Sequence, residues 1–325
     1  MGRLTMRRTL LKSFAWIVAS ALAASFAWDD ARAQESSHSA PLEIVHDRPY
    51  VMVTVNGKGP FRFVIDTGTG GEAFVSADLA TELALPQTGE ITLNDPSGQG
   101  GRKVPMVMLE SLQIAGVEFT GVKAAVHNLG SGDGTYQGLL GFALFRNYLL
   151  TLDYPNHRMA LTSGSLDPDG GKSVLPLRMS DGIPVVRLAI GTAQVDAQID
   201  SGGSGLSLPA QLASRLKFAS EYSNLSTAHS LSTRFTLVGA TLNGDVHLGS
   251  YTFKRPFVEI NPAFPLANFG SAPMRDFSLT FDQKNRLVRF DAQKRVLHLS
   301  ASPSPATLNN GPTREPVDPR LVPVS

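Results

Sequence analysis

The sequence Phe-Arg-Phe-Val-Ile-Asp-Thr-Gly-Thr-Gly-Gly, from Phe61 to Gly71, decides how the rest of the chain is interpreted. Phe61, Phe63 and Ile65 alternate along it, as expected of a half-buried strand. The glycines after Asp66 permit a tight turn that a side chain would obstruct. A carboxylate at this place either caps the following helix, as Asp commonly does, or takes part in chemistry.

The same pattern occurs again between Val195 and Gly205, which read Val-Asp-Ala-Gln-Ile-Asp-Ser-Gly-Gly-Ser-Gly. An apolar alternation again leads into an aspartate, Asp200, which is followed by a small hydroxyl residue and a glycine. The tripeptide Asp-Thr/Ser-Gly occurs at these two places and nowhere else in the sequence. The second copy favours chemistry over a helix cap.

The correspondence between the two halves extends beyond these turns. With Asp200 aligned to Asp66, three pairs of segments correspond: 51–65 with 185–199, 75–83 with 208–216, and 141–153 with 270–282. Shared order and spacing over this length indicate an internal duplication. We therefore predict a mainly β protein with two lobes, at residues 42–162 and 175–299, joined by a linker at 163–174.

Local patterns within the lobes predict short strands, tight turns and few helices. Asn56-Gly57 lies between two apolar runs and predicts a β-hairpin. Ser76 to Leu83 predicts a short helix capped by Ser76, and Leu139-Leu140-Gly141 predicts the start of another helical piece. The predicted strands are 42–45, 50–55, 61–65, 91–93, 104–109, 112–114, 123–126, 148–153 and 159–161, the last two forming a hairpin.

The N-terminus has the features of an export signal. Four basic residues precede an apolar run at 13–28 that is short for a membrane span. Ala31-Arg32-Ala33 then offers a cleavage site, so residues 1–33 are predicted to be a signal peptide. Residues 7–12 also resemble a twin-arginine signal. We expect a periplasmic or secreted protein with no stable membrane anchor after cleavage, and a retained anchor is the alternative.

Composition narrows the function classes further. The chain has 325 residues, 42% hydrophobic and 18% charged, which allows one large or two smaller cores. A formal net charge of +1 gives no indication of nucleic-acid binding. There is no cysteine, so the fold must be held by its cores, and the scattered histidines predict no metal site.

Residues 300–325 are rich in Pro, Ser and Asn and are expected to be a disordered tail.

Two equivalent turns related by a pseudo-twofold axis would bring Asp66 and Asp200 face to face. Carboxylates about 3 Å apart do not both ionise readily, so one holds a proton while the other is charged. A water between them could lose a proton to the charged member while the protonated member donates to a carbonyl oxygen, which leads to amide cleavage. The groups expected to orient and hydrogen-bond the carboxylates are the hydroxyls of Thr67 and Ser201 and the amides near Gly68 and Gly202.

On these motifs the chain resembles aspartic proteases of the pepsin/retropepsin superfamily, and in style their bacterial exported members. The motifs are Phe63 to Gly68 and Ala197 to Gly202, followed by the second elements Leu139-Leu140-Gly141 and Asn268-Phe269-Gly270. The resemblance covers residues 42–299 and implies a bilobal pepsin-like architecture of two retropepsin-like β-barrel lobes. It also implies an aspartic endopeptidase with Asp66 and Asp200 as catalytic dyad, a peptide or protein substrate between the lobes and no cofactor. One chain carries both halves, so we expect a monomer.

Three features depart from the family pattern. Gly203 stands where the family usually has Ser, Thr or Ala, and Asn268 stands where an apolar residue is expected. The family's flap would fall near residues 95–103, which contain no tyrosine. Its candidate substrate contacts are Ser97, Gly98, Gln99 and Gly100. These departures leave open the alternative that the cleft binds peptides but cleaves them poorly.

Other charged residues are interpreted as structural. Asp153 and Asp282 lie in equivalent hairpins, and Arg146 and Arg275 either pair with them or cap a helix end. The acidic residues of the linker hint at a calcium loop, but Arg178 stands where such a loop needs a glutamate. A carbohydrate-binding or envelope structural protein would leave the two matched aspartates unexplained.

Overall fold

β-Strands dominate the structure and pair into three sheets. The computed structural model describes residues 38–94, 101–127, 136–229 and 234–301. The predicted signal peptide at 1–33, the flap contacts Ser97 to Gly100 and the tail beyond residue 301 lie outside the described residues. All of the described residues belong to one compact unit that begins at His38.

Within the described residues, eleven strands precede the predicted linker. They are β1 (His38–Pro41), β2 (Glu43–Val45), β3 (Arg48–Val55), β4 (Lys58–Asp66), β5 (Ala73–Val75), β6 (Gln87–Asn94), β7 (Gly101–Ile114), β8 (Val117–Val126), β9 (Gly138–Gly141), β10 (Leu149–Asp153) and β11 (Arg158–Thr162). This half also contains the helix α1 (Ala77–Glu82) and a 3-10 helix at Phe142–Phe145.

The second half repeats this mixture of short strands and shorter helices. Its strands are β12 (Val174–Pro176), β13 (Arg178–Ser180), β14 (Ile183–Ile190), β15 (Ala193–Ile199), β16 (Leu206–Pro209), β17 (Ser223–His229), β18 (Arg234–Thr241), β19 (Val246–Leu248), β20 (Tyr251–Phe253), β21 (Phe257–Asn261), β22 (Ala267–Phe269), β23 (Ser278–Asp282), β24 (Leu287–Asp291) and β25 (Val296–Leu297). Its helices are α2 (Ala210–Ala213) and α3 (Ser271–Met274). None of the helices in the described ranges has the length and apolar character needed to cross a membrane.

The first half forms an eight-stranded sheet in the order β2-β3-β4-β9-β5-β8-β7-β6. An additional pairing of β3 with β7 closes β3, β4, β9, β5, β8 and β7 into a ring, which makes the sheet barrel-like. The apolar alternation of β4 supplies the interior, since Phe63 and Ile65 are both fully buried. The strand that leads into Asp66 is therefore anchored by the core beneath it.

The second half forms an eleven-stranded sheet in the order β17-β18-β21-β16-β22-β15-β14-β19-β20-β25, with β13 attached to β14. β15, which leads into Asp200, pairs in parallel with β22, and Ile199 lies opposite Phe269. In the first half β4 pairs in parallel with β9, and Ile65 lies opposite Leu140. The strand before each aspartate thus has the same kind of parallel neighbour.

Strands from both halves form the third sheet, in the order β1-β11-β10-β23-β24-β12. At its centre β10 pairs antiparallel with β23, and Thr151 lies opposite Thr280 with their hydroxyl oxygens 3.0 Å apart. Phe142 and Phe281 make an edge-to-face contact across the two halves, with ring centroids 5.3 Å apart. Backbone pairing and apolar contacts therefore join the halves.

Several local predictions are confirmed. Asn56 and Gly57 have positive φ angles of 49° and 73°, and the strands they connect pair as an antiparallel hairpin. Ser76 caps α1 by accepting a hydrogen bond from the amide of Leu79 at 3.1 Å. The hairpin of β10 and β11 forms as predicted.

Two local predictions are wrong. Leu139-Leu140-Gly141 does not begin a helix but forms most of β9, and the 3-10 helix begins only at Phe142. Because this segment pairs with both β4 and β5, its backbone groups are used in the sheet. The predicted strands 104–109 and 112–114 are one strand, β7, since its pairing with β8 continues through Ser111.

The segment predicted to be a linker packs against the second half. Leu166 is buried, and its amide donates to Oδ2 of Asp282 at 3.0 Å. Asp169 accepts hydrogen bonds from the amides of Lys172 and Ser173 at 2.9 and 2.7 Å, which stabilise a turn. The described residues contain no group of three or more His, Cys, Asp or Glu side chains that could hold a metal ion.

The charged residues of the equivalent hairpins stabilise local backbone. Asp153 and Asp282 each accept hydrogen bonds from the asparagine three residues further along the chain. Arg146 and Arg275 do not pair with these aspartates; each donates to the carbonyl three residues earlier, at 2.9 and 3.0 Å. Of the two alternatives for the arginines, the structure selects the capping of a helix end.

Gly138 in β9 makes room for an aromatic ring that anchors β4. A Cβ atom at this position would overlap the fully buried ring of Phe63. We expect Gly138→Ala to lower the free energy of unfolding by about 1–3 kcal/mol, the usual cost of overpacking a core. Urea denaturation monitored by circular dichroism measures the change.

Gly244→Ala is the matched control, because no atom lies within 4 Å of the Cβ position at Gly244. In a Phe63→Leu background the change at Gly138 should cost less than it does alone, since the smaller side chain relieves the overlap. Equal stabilities for the Gly138→Ala and Gly244→Ala proteins would contradict this packing.

Candidate active site

Two turns of the same design follow β4 and β15. Asp66 ends β4 and Asp200 directly follows β15. In each turn the amide three residues on bonds back to the carbonyl of the aspartate: Thr69 to Asp66 at 3.2 Å, and Gly203 to Asp200 at 3.1 Å. An apolar strand that ends in a tight turn therefore presents one carboxyl group at each place.

The structure brings the two carboxyl groups together. The Asp66 and Asp200 carboxyl groups lie close enough that the charge of Asp200 contributes to the raised pKa of Asp66, after burial. The glycines of each turn lie against the carboxyl of the other turn, because a Cβ atom at Gly68 would overlap Asp200 and one at Gly202 would overlap Asp66. The glycines are thus needed for the close approach of the turns as well as for their local shape.

Backbone amides donate hydrogen bonds to one oxygen, Oδ1, of each carboxyl group. The amide of Gly68 donates to Oδ1 of Asp66 at 2.9 Å. The amides of Gly202 and Gly203 donate to Oδ1 of Asp200 at 3.0 and 2.8 Å. These are the amides expected from the sequence, and they fix the orientation of both carboxyl groups.

The hydroxyls of Thr67 and Ser201 have a different role from the one predicted. Thr67 Oγ1 donates to the carbonyl of Ile199 at 2.7 Å and accepts from the amide of Ser201 at 3.0 Å. Ser201 Oγ donates to the carbonyl of Ile65 at 2.6 Å and accepts from the amide of Thr67 at 3.0 Å. The prediction that these hydroxyls bond the carboxylates is wrong, because each is committed to the backbone of the opposite turn.

This crossed network is completely buried. Thr67 and Ser201 each have 0% of their surface exposed, and their hydroxyl oxygens lie 3.3 Å apart. Buried donors and acceptors are costly when unpaired, so the four cross-turn bonds to the backbone constrain the separation of the turns. The two carboxyl groups inherit this fixed separation.

One side chain at the site was recognised in the sequence only as a departure from the family pattern. Asn268 in β22 donates from Nδ2 to Oδ2 of Asp200 at 2.8 Å. Its Oδ1 is buried and has no hydrogen-bond partner among the described residues. A polar residue within an otherwise apolar strand was the signal that could have revealed it, but its partner lies 68 positions away.

The electrostatic environment makes the pair hold a proton. Burial raises the pKa of Asp66 to about 7, assisted by the charge of Asp200 and the hydrogen bond between the two groups. Hydrogen bonds from Thr69 and the amide of Gly68 act in the opposite direction. Burial also raises the pKa of Tyr154, and the charges of both aspartates add to that shift. Asp66 therefore keeps its proton up to about neutral pH.

Comparison with known protein families supports the first of the two turns. Residues 51–144 match a family model described as aspartyl protease, and no curated protein matches the chain. The match supports a relationship of these residues to an aspartyl protease family of the pepsin/retropepsin-like kind. The aspartyl protease match includes Asp66 and its turn and ends before β15. The second turn is therefore connected with the matched segment by geometry alone. The predicted flap contacts, Ser97 to Gly100, lie outside the described residues.

Removing a crossed hydroxyl should destabilise the fold. Thr67→Val is nearly isosteric but leaves a buried carbonyl and a buried amide of the opposite turn unpaired. We expect the free energy of unfolding to fall by about 2–5 kcal/mol, since each unpaired group costs about 1–3 kcal/mol. Chemical denaturation near neutral pH measures the loss.

Thr67→Ser keeps the hydroxyl and is the matched control for this change. It removes one buried methyl group, so its cost should be about 1 kcal/mol. If Thr67→Val were as stable as Thr67→Ser, the crossed hydroxyls would not be what joins the turns.

The raised pKa of Asp66 makes the stability of the fold depend on pH. From about pH 4 to about pH 7 the folded protein keeps a proton that the unfolded chain releases, so stability falls as pH rises. The slope attributable to this group is at most about 1.4 kcal/mol per pH unit. Asp66→Asn should therefore gain stability relative to wild type as pH rises across this window, which thermal unfolding at several pH values would measure.

Asp276→Asn is the control, since it removes one exposed carboxylate and matches the change in charge. Its stability should follow the wild-type pH dependence. Parallel curves for wild type and Asp66→Asn would show that Asp66 does not hold the proton in the folded protein.

Proposed function

We propose that the protein is an aspartic-type endopeptidase whose catalytic dyad is Asp66 and Asp200. The observation that carries the proposal is the meeting of two Asp-Thr/Ser-Gly turns, in which the glycine after each aspartate lies against the carboxyl group of the other turn. Support also comes from the aspartyl protease match over residues 51–144, which suggests peptidase activity. A structural role alone would not account for two buried acids held against each other, because their proximity costs free energy.

The proposed reaction uses both protonation states of the dyad. A water between the carboxyl groups gives a proton to the charged member as its oxygen attacks the carbonyl carbon of the peptide bond. The protonated member donates its proton to the carbonyl oxygen, so the adduct is a neutral diol on carbon. The member that took the proton of the water then gives it to the nitrogen, the other member takes a proton back from a hydroxyl of the diol, and the C–N bond breaks. The products are a carboxylic acid and an amine, and the dyad returns to its starting state.

The surrounding groups would support this chemistry without reacting. In the proposal the amides of Gly68 and Gly202 orient the carboxyl groups, while the hydroxyls of Thr67 and Ser201 hold the two turns at a fixed distance. The raised pKa of Asp66 sets the upper pH limit: activity should fall as pH rises through about 7, because the shared proton is lost.

We propose further that the chain is bilobal and arose by duplication, with lobes at 42–162 and 175–299 and a connecting segment at 163–174. Support comes from the parallel neighbours of β4 and β15 and from the pairing of Thr151 with Thr280, which are aligned with each other in the sequence. A residue that pairs with its own counterpart is what a local twofold axis produces.

The substrate, the oligomeric state and the localisation are proposed from the sequence. The substrate would be a peptide or protein in a cleft between the lobes, and the enzyme would act as a monomer without a cofactor. Residues 1–33 would direct export to the periplasm or beyond. Nucleic acid is not among the proposed partners.

One observation favours a second candidate function, a peptide-binding protein that cleaves poorly. The Asp66 carboxyl receives a hydrogen bond from the side chain of Thr69 at 3.2 Å, whereas Gly203 has no side chain and donates to Asp200 only through its backbone amide. Two unequal turns could give a weak dyad. Tight peptide binding by the intact protein, with no turnover between pH 3 and 8, would favour this candidate.

Cleavage of a mixed peptide library from acidic to neutral pH tests the proposal. We expect pepstatin-sensitive cleavage, and Asp66→Asn and Asp200→Asn should each lower kcat by at least about 1,000-fold, since the paired carboxyls act as a unit. Asp276→Asn, outside the site, is the control and should cleave like wild type. Cleavage that survives either dyad substitution would rule out the proposed mechanism.

A further inference from the structure

The Oδ2 atom of each carboxyl group accepts a side-chain hydrogen bond, and the two donors come from different places in the fold. Thr69, three residues after Asp66, donates from its hydroxyl to Oδ2 of Asp66 at 3.2 Å. The corresponding residue after Asp200 is Gly203, which has no side chain. Asn268 supplies the missing donor from β22, with Nδ2 2.8 Å from Oδ2 of Asp200. Each Oδ2 atom therefore has one side-chain donor, but only the donor to Asp66 belongs to the same turn as its aspartate.

Beside Asp200 there is room either for a side chain at residue 203 or for the amide of Asn268, but not for both as they stand. In β9 the position that corresponds to Asn268 is Leu139, which lies opposite Val64 as Asn268 lies opposite Gln198. A Cβ atom at Gly203 would lie 2.5 Å from Nδ2 of Asn268 and 2.6 Å from Oδ2 of Asp200. A side chain at residue 203 and the amide at residue 268 therefore compete for the same space.

The amide of Asn268 is retained at a cost. Its Oδ1 is buried and has no partner among the described residues, and such an acceptor destabilises a fold. An apolar residue like Leu139 would avoid that cost at this position. Packing alone thus does not explain Asn268, whereas its bond to Asp200 does.

We propose that Asn268 is a positioning residue that replaces the hydroxyl donor of the second turn, and that Gly203 is the residue that admits it. The inference rests on the proposed peptidase activity and concerns how that site is completed. It also explains the two departures in the second half, Gly203 and Asn268, as one compensated change. Asp200 then has the same kind of hydrogen bonds as Asp66, but its side-chain donor comes from β22 instead of from its own turn.

The chemistry of the amide gives this construction a consequence. A hydroxyl can donate or accept, whereas Nδ2 only donates, so the observed orientation of Asn268 favours the charged form of Asp200. Thr69 and the amide of Gly68 donate to Asp66 from its own turn, and burial raises the pKa of Tyr136 and of Tyr154, with the charge on Asp66 contributing to both shifts.

Four proteins test the proposal: wild type, Asn268→Leu, Gly203→Ser and the double variant. Asn268→Leu should lower kcat roughly 10- to 100-fold with little change in KM, as expected for loss of a hydrogen bond to a charged group. Both limbs of its pH–rate profile should move to higher pH, because the lost donor stabilised the charged carboxylate. Its melting temperature should equal or exceed that of wild type.

The double variant gives the decisive comparison. Gly203→Ser alone should impair activity, because the new side chain meets the Asn268 amide. In the double variant the amide no longer fills that space, so the Asp200 carboxyl, whose Oδ2 would lie 2.6 Å from the new Cβ, can turn away from it and accept from the serine hydroxyl, and kcat should exceed that of either single variant. A double variant no better than either single change, or an Asn268→Leu enzyme with unchanged kcat and pH profile, would overturn the proposal.

A readout without catalysis separates this inference from the proposed function. Carboxyl carbon-13 NMR can follow the titration of the two aspartates in wild type and in Asn268→Leu. A shift of the titration to higher pH in the variant supports the role of Asn268 even if no peptide is cleaved. An identical titration overturns that role even in an active peptidase.

Discussion

The crossed hydrogen bonds between the two turns are the constraint on which the site depends. Thr67 and Ser201 each donate to a carbonyl of the opposite strand and accept from an amide of the opposite turn. Because both hydroxyls are fully buried, water cannot replace a broken bond. Without this network, two adjacent acids would be pushed apart whenever both became charged. The network therefore keeps the two acids in place against their mutual repulsion.

The rest of the fold can be understood as support for that contact. The central pairing of β10 with β23 joins the two halves through backbone, and the edge-to-face contact of Phe142 with Phe281 adds an apolar interaction. Within each half, a parallel neighbour strand holds the strand that ends at the aspartate. The free energy from these cores offsets the cost of burying the carboxyl pair, which raises the pKa of Asp66.

The two halves meet the same requirement with different side chains. Asp66 is served by a hydroxyl from its own turn, and Asp200 by an amide from β22. Gly203 and Asn268 are each unusual when considered alone, but together they fill one space between a strand and a turn. Each of the two carboxyl groups thus has one side-chain donor, although the donors belong to different elements of the fold.

The sequence by itself determined the features that depend on near neighbours. The alternation at Phe63 and Ile65, the Asn56-Gly57 turn and the Ser76 cap are local patterns, and the structure has all three. The repeated tripeptide indicated two equivalent aspartates. Its glycines gave the shape of each turn because their freedom is a property of the residue itself.

Only the tertiary structure decided the partners of groups far apart in the chain. The hydroxyl of Thr67 bonds across 132 positions to Ile199, and Asn268 reaches Asp200 across 68, so neither contact has a local pattern. Leu139 and Leu140 lie in a strand because two neighbouring strands use their backbone groups, a pairing that overrides the local tendency. The physical reason is the same in each case: a hydrogen bond depends on which groups the folded chain brings within about 3 Å, and sequence spacing does not fix that distance.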